Sequence, residues 1–329
     1  MKKLFTLFTL LIICSFLFAA GQEEQTGHVV GISKLLSHPA LDNVEQGVVD
    51  YLEGTSLDVK FNLQNANGDT STAVSIANEL KTANVDVALG IATPTAQALI
   101  NTFEDKPVVF AAVTDPVDAG LVSAWGAVEG SNVCGVSDMT PVEDQVKLLV
   151  EVTDAKSIGF VFSSGEANSL AIKKDVESIC SSLGVELVDV SVANTAEVKQ
   201  AAQSIAPRVD AIYLATDNNV ASAAQALVDV CMQNNIGLLG ADPSAIEGLD
   251  YLIAWGFDYY KIGLKTGQMI ESILNGETAG SLGSIVLTDP KDFELRINLD
   301  TAKKLGIEIS DELLKSASHI IENGSVKEL

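Results

Sequence analysis

Small polar side chains gather where apolar runs give way to helical ones. "SHPALD" carries Ser37, His38 and Asp42; "IATPT" carries Thr93 and Thr95; "VTDP" carries Thr114 and Asp115; "GVSD" carries Ser137 and Asp138. Further on, "SSGEANS" offers Ser164, Glu166, Asn168 and Ser169, "ATDNN" offers Thr216, Asp217, Asn218 and Asn219, and "ADPS" offers Asp242 and Ser244. Such residues can grip a ligand through hydrogen bonds and charge, or simply cap the helices they precede. Several of these turns hold more of them than one cap requires. Catalytic groupings do not form: there is no GxSxG, Walker A loop, GxGxxG after a strand or HExxH. The histidines are His28, His38 and His319, and only His38 falls near the expected cleft, where it reads as a polar loop residue with no partner cysteine. Histidine, cysteine and carboxylate nowhere cluster at metal-ligand spacing. The expectation is binding, with no enzyme activity, metal or cofactor.

Charge narrows the ligand. The arginines are Arg208 and Arg296, and Arg208 precedes a strand, at the wrong end of a parallel sheet for a ligand cleft. A bidentate guanidinium clamp is therefore not expected in the first half. An anionic group would rely on helix N-termini and hydroxyls such as those at Thr93 and Thr114. Asp115, Asp138, Asp217, Glu166 and Asp242 oppose a purely anionic ligand. A zwitterion suits both sets, its carboxylate at helix starts and its ammonium against a carboxylate.

The elements that must position these groups are legible as nearly continuous apolar runs alternating with amphipathic segments. "HVVGISKL", "VDVALGIA", "PVVFAAVT", "SIGFVFS", "VDAIYLAT" and "IGLLGA" read as parallel strands covered on both faces. Helices fit the text between them, so each half is a doubly wound α/β domain. The halves also resemble one another. Val85 to Leu99 can be laid over Val209 to Leu227, Val108 to Pro116 over Ile236 to Pro243, and Val30 to Asp42 over Ile158 to Leu170, about 120 to 130 residues apart each time. "NVCGVSDMTP", Asn132 to Pro141, reads as the first connection between them. The segments beginning "YLIAWGFDYYKIG" and "LRINLDTAKK" add a strand and helix each, so the chain crosses between domains more than once and forms a hinge. Trp255 in the first of these reads as a packing residue rather than a ligand-stacking one.

With 329 residues, 47% of them hydrophobic, there is material for two such domains. A net charge of −24 argues against nucleic-acid or anionic-membrane binding. The N-terminus places Lys2 and Lys3 before an apolar run from Leu4 to Phe18 and the small residues Ala19, Ala20 and Gly21. That is the pattern of a secretory signal peptide over residues 1–21, cleaved near Gly21, with lipidation disfavoured because Cys14 lies inside the apolar run. An exported protein, periplasmic or at the cell surface, is expected. Cys134, Cys180 and Cys231 read as buried thiols, not a disulfide framework.

In order and spacing, "SHPALD", "GIATPTAQAL", "VTDPVDAGLV", "GVSD", "SSGEANS" and "TDNNVAS" resemble the ABC-transporter substrate-binding proteins of the tryptophan/tyrosine-binding type. The resemblance runs from about Val29 to the C-terminus and is loosest around "GADPSAIEGLDYLIAWG". It implies the type I periplasmic-binding-protein fold, two parallel-sheet lobes joined by a multi-strand hinge. It further implies capture of an aromatic amino acid such as Trp, Phe or Tyr between lobes, and delivery to a membrane permease partnered by a cytoplasmic ATPase. Lobe boundaries of 28–138 plus about 257–287, and 139–256 plus about 288–329, follow from it. The ligand residues it implies are Ser37, Thr93, Thr114, Asp115, Ser137, Asp138, Asn168, Ser169, Asp217 and Asn218, with Asp217 as the charged partner of the ammonium. A sugar or a non-aromatic amino acid in the same scaffold, or a sensory domain, is the competing reading.

Overall fold

The computed structural model describes residues 27–246 and 248–329. The expected signal peptide lies outside the described residues. No helix among the described residues is long and apolar enough to cross a membrane.

The first lobe is built on strands β1 (His28–Lys34), β2 (Val59–Asn65), β3 (Val87–Ile91), β4 (Val108–Ala111) and β5 (Val133–Ser137). Between them run helices α1 (Pro39–Glu53), α2 (Thr70–Thr82) and α3 (Thr93–Ile100). The second lobe repeats the plan with β6 (Ser157–Ser163), β7 (Glu186–Val192), β8 (Ala211–Leu214), β9 (Gly237–Gly240) and β10 (Ile253–Phe257). Its helices are α4 (Val142–Thr153), α5 (Ala167–Leu183), α6 (Val198–Ile205), α7 (Asn218–Ser222) and α8 (Ala224–Gln233). The chain then returns to the first lobe with α9 (Tyr259–Leu274), α10 (Ala279–Leu282) and β11 (Ser284–Val286). It ends on the second with β12 (Phe293–Asn298), α11 (Leu299–Leu305), α12 (Asp311–Ser316) and the hairpin β13 (His319–Glu322) and β14 (Ser325–Glu328).

The strand orders are β2-β1-β3-β4-β5-β11 and β7-β6-β8-β9-β10-β12-β13-β14. The shared order of the first five strands in each is the duplication read from the sequence. All pairs in the first sheet are parallel. The second is parallel as far as β10, then adds β12 antiparallel to it and closes on the antiparallel hairpin.

Several local readings change. Val133–Ser137 is a fully buried strand of the first sheet, not part of the connection, and the chain leaves the lobe only after it. The strands β2 and β7 escape the apolar-run pattern because they are sheet edges with half their side chains toward solvent. The helical stretch that follows β8 breaks at Ala223 into α7 and α8. Cys134, Cys180 and Cys231 are each buried and unpaired.

The chain passes between lobes after β5, after β10 and between β11 and β12. Helix α9 is clamped onto α1 where Gly263 and Gly47 meet. A Cβ on Gly263 would lie 2.3 Å from the Val44 carbonyl oxygen, and one on Gly47 2.3 Å from that of Tyr260. Only glycine permits that approach. The contact holds the start of α1 beside the hinge residue Tyr259.

Candidate functional site

The C-terminal ends of the central strands of both sheets face one another, as expected for a ligand cleft in an open parallel sheet. The lobes are closed. Thr114 Oγ1 of the first lies 3.1 Å from Thr216 Oγ1 of the second, and at the rim Lys174 Nζ lies 3.8 Å from Asp118. Between them remains a cavity of about 20 Å³, room for about one water molecule. An amino-acid-sized ligand therefore gains access only when the lobes part.

At the hinge end of this cavity sits Asp138, the first residue after β5. It accepts hydrogen bonds from Thr114 Oγ1 and Tyr259 Oη, each at 3.0 Å, and is 5% exposed. Both donors are neutral, and no lysine or arginine lines the cavity. Burial dominates, pushing the carboxyl up to about 6 despite the two hydroxyls. Tyr259 belongs to a second interlobe crossing, so Asp138 ties two hinge strands to the cavity.

The wall supplied by the second lobe is satisfied from within. Asp217 caps α7 through Val220 N at 3.0 Å, and its oxygens also accept from Ser163 N at 2.6 Å, Ser163 Oγ at 2.7 Å and Ser169 Oγ at 2.6 Å. Glu166 receives the side-chain amides of Asn168, Asn218 and Asn219. Burial, and then the adjacent Asp217 charge, push Glu166 up to about 7. One atom of this wall is left over: Asn168 donates to Glu166 and to Thr216 O, but its Oδ1 is buried without a partner, on a residue that lines the cavity.

The opposite wall is left open. Helices α1 and α3 begin without a side-chain cap. Ala92 before α3 has φ 81 and ψ 155, and Ala112 after β4 has φ 52. The first lies in a region essentially reserved for glycine and costs about 1–3 kcal/mol, strain of the kind that concentrates at ligand sites. Ala92 is held there by Ala92 N to Ala111 O at 3.0 Å and by Ala96 N and Thr95 Oγ1 bonding its carbonyl.

Of the residues expected from sequence, the cavity gathers Thr114, Asp138, Asn168, Asp217 and Asn218. Ser37 is exposed and accepts from Asn65 Nδ2. Asp115 caps the following turn through Val117 N and Asp118 N. Ser137 braces the backbone, donating to Thr114 O and accepting from Met139 N. Ser169 supports Asp217, and Thr93 is buried at the start of α3 away from the cavity lining. Asp217 reaches the cavity with its carboxylate oxygens already engaged by four neutral donors of its own lobe. His38 and Asp242, read from sequence as polar residues of the turns but not among the ligand residues the resemblance implies, also line the cavity, as does Tyr259, which was not picked out. Trp255 sits in an outer groove with Phe293 and Leu295, not in the cleft. No group of three or more metal-ligating side chains occurs among the described residues.

The chain matches the family described as ABC transporter substrate binding protein over residues 29–321. It is 32% identical over 284 residues to a tyrosine-binding protein of Clostridioides difficile (strain R20291), covering 85% of this chain and 81% of that one. A crystal structure from Streptococcus pneumonia, an ABC domain in complex with L-Trp, superposes with a TM-score of 0.84 at 31% identity, over 90% of this chain and all of that one. A ligand-free, open substrate-binding protein with adhesive properties from Clostridium difficile gives a TM-score of 0.64 at 34% identity, over 86% and 96%.

Proposed function

Because the chain belongs to the family of ABC transporter substrate-binding proteins, solute binders and not enzymes, we propose that it captures an amino acid between its lobes and hands it to the permease of an ABC importer. The observation that carries this reading is Asp138, a carboxylate in the cavity held only by two neutral hydroxyls. Leaving a buried charge unpaired is costly, and a ligand ammonium is the group that relieves it. The Asn168 Oδ1 on the facing wall offers the same ammonium a second acceptor. The ammonium role thus goes to Asp138 in place of Asp217.

An aromatic side chain is supported by relatives described as tyrosine-binding and as an L-Trp complex. Export is supported by the N-terminal pattern of Lys2, Lys3 and the run from Leu4 to Phe18. In the cycle, an open form exposes both walls, ligand contacts made only when both lobes touch it select closure, and the closed form is what a permease would recognise.

A thermal-shift screen of the mature protein against the twenty amino acids, followed by titration calorimetry, tests this. L-Trp or L-Tyr is expected to raise the melting temperature by mass action. No shift with any amino acid would remove the reading.

A further inference from the structure

The imidazole in the cleft has no partner in the protein. His38 is 9% exposed and lines the cavity, and both ring nitrogens are buried without a hydrogen bond. Buried polar atoms are nearly always paired, so two on one ring facing a cavity point to a ligand. Asn218 on the other lobe approaches the ring without completing a bond.

His38 also occupies the cap position of α1 yet makes no cap bond. Pro39 brings no N–H, and the first helix amide bonded to a carbonyl is that of Asp42, to His38 O. The amides of Ala40 and Leu41 are therefore left over at the positive end of a helix of 15 residues, on residues that line the same cavity as the ring.

Most other side-chain donors on the cavity are already engaged. Thr114 and Tyr259 give their hydrogens to Asp138, Thr216 pairs with Thr114, Asn168 gives its amide to Glu166 and Thr216 O, and Asn218 gives one of its two amide hydrogens to Glu166. Lys34, behind the start of α1, is held by Asp42 at 2.6 Å and Glu45 at 3.0 Å. Asp138, Asp217 and Asp242 make the remainder of the cavity acidic. Burial pushes the His38 imidazole below its ordinary range, favouring the neutral ring, which has one N–H to give.

We propose that His38 and the first turn of α1 form the subsite for the ligand's α-carboxylate, with His38 donating a ring N–H and Ala40 and Leu41 donating backbone N–H groups. This assignment rests on the amino-acid reading of the cleft and deepens it. It makes His38 a specificity-determining residue that separates amino acids from the corresponding amines.

Calorimetric titration with L-Trp, L-Tyr, tryptamine and tyramine tests it on the wild type, His38→Ala and His38→Gln. In the wild type the amines are expected to bind at least about 100-fold more weakly than the amino acids. His38→Ala should weaken the amino acid about tenfold or more, the value of a hydrogen bond to a charged group, and change the amine less than about twofold. His38→Gln, which restores a donor, should recover part of that loss. The melting temperature without ligand should stay within about two degrees of the wild type, since the ring has no protein partner to lose. Amines that match the amino acids, or an equal loss of both in His38→Ala, would overturn the subsite while leaving the amino-acid reading intact. Failure of the unmodified protein to bind either amino acid would remove the aromatic assignment and this inference together.

Discussion

The two lobes share one strand order, yet the walls they give the cleft are opposites. In the second lobe, Asp217 at the start of α7 collects donors from Ser163, Ser169 and Val220, and Glu166 collects amides from three asparagines. In the first lobe α3, the counterpart of α7, begins without a side-chain cap, His38 before α1 is left unpaired, and Ala92 is held in a strained conformation. Duplication thus supplied two similar frames. One wall spends its polar groups on its own rigidity, while the other, with the hinge carboxylate Asp138, keeps them for a ligand.

Asp217→Ala should break this contrast most severely. It removes a helix cap worth about 1 kcal/mol and strands buried donors at roughly 1–3 kcal/mol each. A loss of about 3 kcal/mol or more in denaturant unfolding is expected, with Glu166 titrating lower once the neighbouring charge is gone. Unchanged stability would show that the wall is not self-supporting.

Asp138→Asn should do the reverse. A carboxyl whose folded pKa is raised to about 6 from an ordinary 3.8 contributes stability below about pH 4 and loses it as pH rises through 6. At pH 7.5 the wild type carries a deficit on the order of 2–3 kcal/mol from this group. Without ligand, Asp138→Asn should be the more stable protein at pH 7.5, and its advantage should vanish near pH 4. Wild-type amino-acid affinity should correspondingly rise between pH 5 and 7.5, as Asp138 ionises to meet the ammonium. A flat profile in both assays would deny Asp138 its role as the ammonium's partner.

Gly263→Ala tests how the open wall is positioned. The new methyl would press on the Val44 carbonyl, and overpacking of this kind costs about 1–3 kcal/mol. Because α1 carries His38, amino-acid affinity should fall with stability. Lys174→Ala, which removes the exposed rim contact to Asp118, should change either quantity by less than about 0.5 kcal/mol.

The frame was largely legible in the sequence, because apolar runs such as "VDAIYLAT" are long, buried and repeated. The edges were not: "VKFNLQN" and "ELVDVSV" face solvent with half their side chains, and "VCGVS" looks like a connection until β4 and β11 cover it. The site was legible as a set of turns but not as a division of labour. Whether Asp217 is free depends on Ser163 and Ser169, some fifty residues earlier in the chain. His38 reads locally as a residue before a helix, flanked by Ser37 and Pro39, and its unpaired ring emerges only when the lobes close over it. Tyr259 became a site residue through the hinge crossing that carries its hydroxyl to Asp138.

The division of labour between the walls is tested most directly by calorimetric titration of L-Trp and L-Tyr into Asp138→Asn and Asp217→Asn, each shown to be folded. Loss of a buried charged partner costs about 2–5 kcal/mol, so Asp138→Asn should weaken whichever amino acid the wild type binds by about 100-fold or more. Asp217→Asn should weaken it less than about tenfold. The reverse ranking, with Asp217→Asn abolishing binding and Asp138→Asn retaining it, would contradict the account.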